Sequence, residues 1–407
     1  MNKLTVKDVD VAGKKALVRV DFNVPLDKKT GEITDDSRIR ATLPTIKYLV
    51  EHRAKVILCS HLGRPDGKVV ESLRLSMVAR RLSEILGQKV SMTNDCIGPE
   101  IEQAVSRLKD GEVLLLENLR FHPDEEKNIP VFAQALAKLA DIYVNDAFGA
   151  SHRKHASITR ITEYLPAVAG FLLQKEIETL GGILENPTHP FGELVGGAKV
   201  SDKVAMLENI MSKVDVLLIG GGMAATFLKA KSIEVGLSLI EADRLVTATK
   251  LMEKASHDST RLLLPEDVMV ADEINAQSQG RIVSVNNISA KDRIVDIGPA
   301  TIKKFSDELR QCQTIFWNGP MGVFEIPQFA AGTQALATLL SQLKAKTIVG
   351  GGSTAEMVTS MGLVDKMTFV STGGGASLEF LGSGGKLPGV EVLLDKNAPA
   401  AAKLMNT

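Results

Sequence analysis

The sequence predicts an α/β protein with two doubly wound parallel-sheet domains, joined by an interdomain helix and a hinge. Three observations carry that expectation. The chain has 407 residues, more than one hydrophobic core usually serves. Short apolar runs recur and alternate with longer stretches of helical periodicity, the pattern of buried parallel strands with crossover helices. Polar or glycine-rich clusters directly follow those runs, where open α/β sheets bind their ligands.

In the first half the expected strands are Leu17–Val20, Val56–Ser60, Val113–Glu117 and Ile142–Asn145. In the second half they are Val216–Gly220, Arg261–Leu264, Ile294–Ile297, Thr314–Trp317, Thr347–Val349 and Phe369–Ser371. Helical segments lie between them, among them Pro130–Ala140 and Lys203–Ser212. Phe171–Glu185 is helical in period and runs into the breaker cluster Asn-Pro-Thr-His-Pro at 186–190. The expected domains are therefore 1–170 and 190–389, with 171–189 as connector.

Composition excludes several classes. Lys and Arg total 48 against 49 acidic residues, so there is no general pull toward nucleic acid or anionic membrane. Cys59, Cys96 and Cys312 form no CxxC pair, which fits free thiols in a reducing cytoplasm. The opening MNKLTVKDVD lacks the apolar core of a secretory signal. No uncharged apolar stretch reaches the ~20 residues of a membrane helix.

The strand ends of the first half are polar and basic: Asp21, Asn23 and Arg38, then His61 and Arg64, then Asn118, Arg120 and His122, then Asp146, His152, Arg153 and His155. Arginine suits bidentate binding of carboxylate and phosphate. Asp21 and Asn23 can bond a hydroxyl. The set describes a site for a small, multiply anionic, hydroxylated molecule. Any one of these arginines alone would be read as a surface ion pair, and His122 and His155 as loop or packing residues.

The strand ends of the second half are rich in glycine: Gly196-Gly197-Ala198-Lys199, Gly220-Gly221-Gly222, Gly298-Pro299, Asn318-Gly319-Pro320, Gly350-Gly351-Gly352-Ser353-Thr354 and Gly373-Gly374-Gly375. A glycine turn that opens a helix offers free N–H groups to phosphate. One such turn could serve packing alone. Three, with Lys199 and Lys203 nearby, point to a nucleotide polyphosphate. There is no Walker A loop and no G-x-G-x-x-G after a strand, and Asp21-Phe22-Asn23 lacks every companion of a protein-kinase site. Gly382–Lys386 has the composition of a phosphate loop without its spacing.

RVDFNVP (19–25), SHLGRPDG (60–67), ENLRFH (117–122), NDAFGASHRKHAS (145–157), GGAKVSDK (196–203), GGGMA (220–224), WNGPMGVFE (317–325) and STGGGASLEFL (371–381) occur in this order. In them the chain resembles the phosphoglycerate kinase family along nearly its whole length. The resemblance implies two Rossmann-like domains and reversible phosphoryl transfer from 1,3-bisphosphoglycerate to ADP, giving 3-phosphoglycerate and ATP. It implies that Asp21, Asn23, Arg38, His61, Arg64, Arg120 and Arg153 bind the glycerate substrate, with Arg38 facing the transferred group. It places Gly197, Lys199, Lys203, Gly221, Gly298, Asn318, Glu325, Gly350, Gly351, Gly352, Ser353 and Thr354 on the nucleotide. Arg38, Lys199, Lys203, Gly352 and Gly375 are its implied catalytic positions.

The resemblance also implies a monomer, a tail at 390–407 that returns to the first domain, and Mg²⁺ bound with ADP or ATP. The family usually has Asp where this chain has Ser353. A hydroxyl is a weak ligand for a hard cation, so Asp202 or water is expected to fill the gap. Transfer between ligands held on separate domains requires closure, with hinges expected at 171–189 and near Ser371–Gly373. Two other classes remain on the residues alone. One is a non-catalytic protein that keeps both sites, for which Ser353 speaks. The other is a nicotinamide-dependent dehydrogenase, which the missing dinucleotide fingerprint opposes.

Overall fold

The computed structural model describes residues 2–27 and 29–405, so the extreme ends of the expected first domain and tail lie outside the described residues. The chain forms two compact units, one of Met1–Glu178 with Lys386–Thr407, the other of Thr179–Gly385. The split falls inside the helix Phe171–Glu185.

The first unit is built on six strands: β1 (Lys15–Val20), β2 (Lys55–Cys59), β3 (Val90–Met92), β4 (Val113–Leu115), β5 (Ile142–Asp146) and β6 (Ala167–Ala169). All pair parallel, in the order β3-β4-β2-β1-β5-β6. Alternation along β1 sends Ala16, Val18 and Val20 into one core with Ile39, Ile46 and Leu49 of the helix Ser37–Glu51. Leu17 and Arg19 face the other way. The C-terminal segment adds Ala401 to the same core, and Leu4 donates its N–H to the Leu394 carbonyl at 2.8 Å.

The second unit contains β7 (Phe191–Val195), β8 (Val216–Ile219), β9 (Arg261–Leu263), β10 (Asp267–Ala271), β11 (Arg281–Ser284), β12 (Arg293–Ile297), β13 (Thr314–Asn318), β14 (Lys346–Gly350) and β15 (Phe369–Val370). Six of them make a parallel sheet ordered β15-β14-β13-β7-β8-β9. The rest form a separate antiparallel sheet, β11-β10-β12. This corrects the expectation for Ile294–Ile297, whose apolar run belongs to that smaller sheet. A short, mostly apolar run reports burial but not the direction of its neighbours, and β12 pairs antiparallel with β10.

Strand β7 is absent from the expected strands because Gly192 and Glu193 interrupt its apolar pattern, yet all five residues are buried. It is also central. In each parallel sheet the chain builds outward on one side and then returns to build on the other. The order reverses between β1 and β5 in the first unit, and between β7 and β13 in the second. Crevices at such reversals are where open α/β sheets bind ligands.

Candidate functional site

At the first reversal the side chains meet around Asp21, just past β1. Arg38, from the first turn of the helix Ser37–Glu51, pairs with the Asp21 carboxylate. His61 Nδ1 lies 3.9 Å from Asp21 Oδ1. Asn23 Oδ1 accepts the Gly63 N–H at 2.9 Å, and Arg120 donates to the Gly63 carbonyl at 2.8 Å. Asn118 sets Arg120 in place, because its side-chain oxygen accepts the Arg120 N–H at 3.1 Å and its amide nitrogen donates to the Leu62 carbonyl at 2.8 Å. Arg153 is half-buried and acts electrostatically on Arg120 and His155. Of the expected substrate residues, Arg64 alone is exposed.

The charges explain one another. Burial alone would raise the Asp21 carboxyl, but the Arg38 and Arg19 guanidinium groups overcome it and hold the group at about 2. Burial together with Arg19, Arg120 and Arg38 keeps His61 well below its ordinary value despite Asp21. Burial, then Arg120, Arg19 and Arg153, push His155 down to about 3. Near neutral pH His61 and His155 are therefore uncharged, and the guanidinium groups beside them supply the positive charge. Such a basin is suited to anions without any help from titration of these two histidines. His122, in contrast, turns to Asp95, with Nε2 at 2.6 Å from Oδ1. Asp146 accepts the Leu172 and Leu173 N–H groups at 2.9 and 3.2 Å and so caps the helix Phe171–Glu185.

Arg19 was not singled out from sequence. It is 1% exposed and donates to Ser157 Oγ at 2.9 Å, while its Nη2 lies 3.2 Å from His61 Nδ1. Ser157 in turn donates to the buried Glu125 at 2.6 Å. The available signal was a charged residue inside the otherwise apolar run LVRV.

At the second reversal, glycines let three loops touch by their backbones. Gly197 N donates to the Pro320 carbonyl at 2.8 Å, Gly221 N to Met321 at 2.9 Å, and Met223 N to Gly197 at 2.9 Å. A Cβ on Gly319, where φ is +99°, would lie 2.3 Å from the Gly196 carbonyl oxygen. A Cβ on Gly221, at φ +63°, would lie 2.5 Å from Gly197 N. These glycines answer to packing first. The other two turns differ: around Gly352, Gly374 and Gly375 a Cβ would meet nothing within 4 Å. There the helices Gly352–Ser360 and Gly375–Gly382 begin, with room beside their opening glycines.

The structure gives two expected nucleotide residues internal duties. Gly298 is bare because a Cβ would lie 2.3 Å from the Asp267 carboxyl carbon. Asp267 itself accepts the Ala300 and Thr301 N–H groups at 3.0 and 2.7 Å. The N-terminus of the helix Pro299–Leu309 is thus filled by a carboxylate of the same unit and is not an open anion site. Thr354 is buried, and its hydroxyl accepts the Gly319 N–H at 2.7 Å. Lys199, Asp202, Glu325 and Ser353 are exposed, and Gly350 and Gly351 flank the Asn318 amide.

Lys203 is buried, with Nζ donating to Asn318 Oδ1 at 2.6 Å and lying near Gly197. Glu193 of β7 is fully buried, and neither carboxylate oxygen has a hydrogen-bond partner. Burial raises it to about 8 against the pull of Lys203. Because the folded value lies above the ordinary 4.5, its contribution to stability is full below about pH 4.5 and is lost as pH rises toward 8. Glu193→Gln is expected to stabilise the second unit by ~2–4 kcal/mol at pH 9 and by less than ~1 kcal/mol at pH 5. Urea unfolding of both proteins at the two pH values checks it, and equal gaps would refute the burial argument.

Comparison with known proteins agrees with this layout. The family model described as phosphoglycerate kinase matches residues 6–384. A phosphoglycerate kinase of Moorella thermoacetica is 55% identical over 396 residues, 97% of this chain and 100% of the relative. One of Chloroflexus aurantiacus is 55% identical over 400 residues, with the same coverage. The solved phosphoglycerate kinase of Coxiella burnetii superposes with a TM-score of 0.84 at 41% identity, covering 96% of this chain and 98% of that one. That of Pyrococcus horikoshii gives 0.81 at 32% identity with the same coverage. A guanidinium basin at one sheet reversal, a lysine and open glycine turns at the other, and likeness over almost the full length lead to one conclusion: this chain belongs to the phosphoglycerate kinase family.

Proposed function

We propose that the chain divides the family's reaction, phosphoryl exchange between 1,3-bisphosphoglycerate and ADP, between its two sheet reversals. The basin of Asp21, Asn23, Arg38, His61, Arg120 and Arg153, with Arg64 at its rim, holds the glycerate substrate. The turns at Gly197, Gly221, Asn318 and Gly350–Thr354, with Lys199 and Lys203, hold the nucleotide, with Gly298 and Glu325 on its ribose side. The observation that carries this reading is chemical: one reversal is ringed by guanidinium groups, while the other offers helix N-termini whose opening glycines are uncrowded.

Phosphoryl transfer needs alignment and charge stabilisation more than covalent help. Arg38, Lys199, Lys203 and the N–H groups opening at Gly352 and Gly375 supply that charge. No side-chain nucleophile is required, since the substrate carboxylate itself attacks ATP in the reverse direction. The ligands must be brought in line and water excluded, so catalysis requires closure of one unit on the other. The tail and the connector at 171–189 belong to that movement, and we propose a cytoplasmic monomer. The direct test is ATP-dependent consumption of 3-phosphoglycerate in a coupled assay with Mg²⁺ varied. Turnover dependent on both substrates supports the reading. Folded protein that binds both ligands without turnover would make it a binding protein.

Mg²⁺ bound with the nucleotide neutralises phosphate charge. Among the described residues the second unit gathers no group of three His, Cys, Asp or Glu side chains. When bound, the ion would take phosphate oxygens and water beside any protein ligand. The protein donors on offer are the exposed Ser353 hydroxyl and the exposed Asp202 carboxylate. Ser353→Asp is expected to lower the Mg²⁺ concentration for half-maximal activity by roughly tenfold, about the worth of one carboxylate on a partly hydrated cation. An unchanged magnesium titration would remove position 353 from the metal's surroundings.

A further inference from the structure

The parallel sheet of the second unit carries a buried carboxylate that the reaction described above does not use. Glu193 sits on β7 opposite Phe316 of β13 and Leu217 of β8, so its strand neighbours are apolar. It is fully buried, and both its oxygens lack hydrogen-bond partners. Lys203 is the one charge acting on it among the described residues. Lys203 is itself acted on by Asp202 and Glu193, and its ammonium is held by Asn318 Oδ1 at 2.6 Å. The Asn318 amide nitrogen is also buried without a partner. Three unpartnered polar atoms thus sit on Glu193 and Asn318, which bear on this ammonium together with Asp202.

We propose that Glu193 is a positioning residue for nucleotide binding that works through Lys203. Protonated, it leaves the ammonium to Asn318 and the nucleotide's phosphates. Ionised, it draws that charge back toward the sheet. The inference rests on the assignment of Lys203 to the phosphates. It rests on placement: Glu193 pairs with Phe316, two residues before Asn318 on β13, so Glu193 and Asn318 share one face of the sheet, and Asn318 holds the ammonium. That ammonium answers to the carboxylates of Asp202 and Glu193 and to a phosphate, and cannot serve all of them fully. Burial places the exchange near neutrality, since the Glu193 carboxyl is raised to about 8. Ionisation and phosphate binding then oppose each other, so nucleotide binding carries a proton from solvent onto Glu193.

The experiment measures ATP binding by calorimetry to the full chain at fixed Mg²⁺. It compares the wild type, Glu193→Gln and Lys203→Ala at pH 7 and pH 9. Wild-type affinity is expected to fall by at most about tenfold between those pH values, as the competent protonated fraction falls. Glu193→Gln, which cannot ionise, is expected to lose that dependence, while Lys203→Ala binds more weakly at both. Titrations of the wild type at pH 8, in two buffers of different ionisation enthalpy, are expected to show uptake of about half a proton. A pH dependence in Glu193→Gln equal to the wild type's would overturn the proposal and leave the site assignment standing. Unchanged binding by Lys203→Ala would overturn both. Absence of proton uptake in the wild type would overturn the proposal even where a variant fails to fold.

Discussion

Arg38→Ala is expected to lower kcat by ~10²–10³-fold while raising KM for 3-phosphoglycerate by far less, the mark of an interaction made chiefly in the transition state. Arg38 is suited to that role by what surrounds it. It stands in the first turn of the helix Ser37–Glu51, half-buried, with its guanidinium on Asp21. Asp21 stays ionised because the Arg38 and Arg19 guanidinium groups outweigh its burial, holding it at about 2. The arginine is therefore pre-aimed rather than loose, and the alignment cost is met before substrate arrives. Arg38→Lys keeps the charge but loses the planar fork, so it is expected to recover only part of the rate. Steady-state kinetics of the three proteins with both substrates varied decide this. A rise in KM with kcat intact would make Arg38 a binding residue and move charge stabilisation to Lys199 and Lys203.

How much of this was legible before the fold was known depends on what each residue answers to. Strand ends were readable because parallel strands are continuous apolar runs and the chemistry follows them directly. Asp21, His61, Arg120 and Arg153 fell into place on that rule alone. Where a residue breaks the run, the rule fails. Glu193 hid β7, the strand on which the second unit's reversal turns, and Arg19 hid inside β1. Both are ionisable groups buried in strands: Arg19 is held by Ser157, distant in sequence, and burial shifts Glu193 toward its neutral form. Glycines were readable as turns but not as to purpose. Gly319 and Gly221 are bare for a backbone passing within van der Waals range, Gly298 for Asp267, while Gly352 and Gly375 face open space. Only tertiary contact separates those cases.

Arg19→Met should cost the first unit ~3–5 kcal/mol, because it leaves one half of a buried charge pair behind. Arg19 is fully enclosed and linked to Glu125 through the Ser157 hydroxyl, which accepts from Arg19 at 2.9 Å and donates to Glu125 at 2.6 Å. Burial already raises the Glu125 carboxyl, and Arg19 is the largest of the influences opposing that rise. Without the arginine the carboxyl moves further up and takes a proton more readily. For a unit of about 200 residues, that loss corresponds to a fall of about 10 °C in its thermal transition. The diagnostic variant is the double one. If the cost is the stranded carboxylate, Arg19→Met with Glu125→Gln will be less destabilised than the sum of the two single changes, by 1 kcal/mol or more on the scale of coupled buried pairs (~0.5–3 kcal/mol). If the cost is lost packing, the two changes will add. Substrate affinity separates the roles again: Arg19 also faces His61 at 3.2 Å. Its loss should therefore weaken 3-phosphoglycerate binding even at temperatures where the unit remains folded, whereas Glu125→Gln alone should leave that affinity nearly unchanged. Denaturation and binding curves on the same four proteins thus test whether the buried arginine holds up the fold, the anion basin, or both.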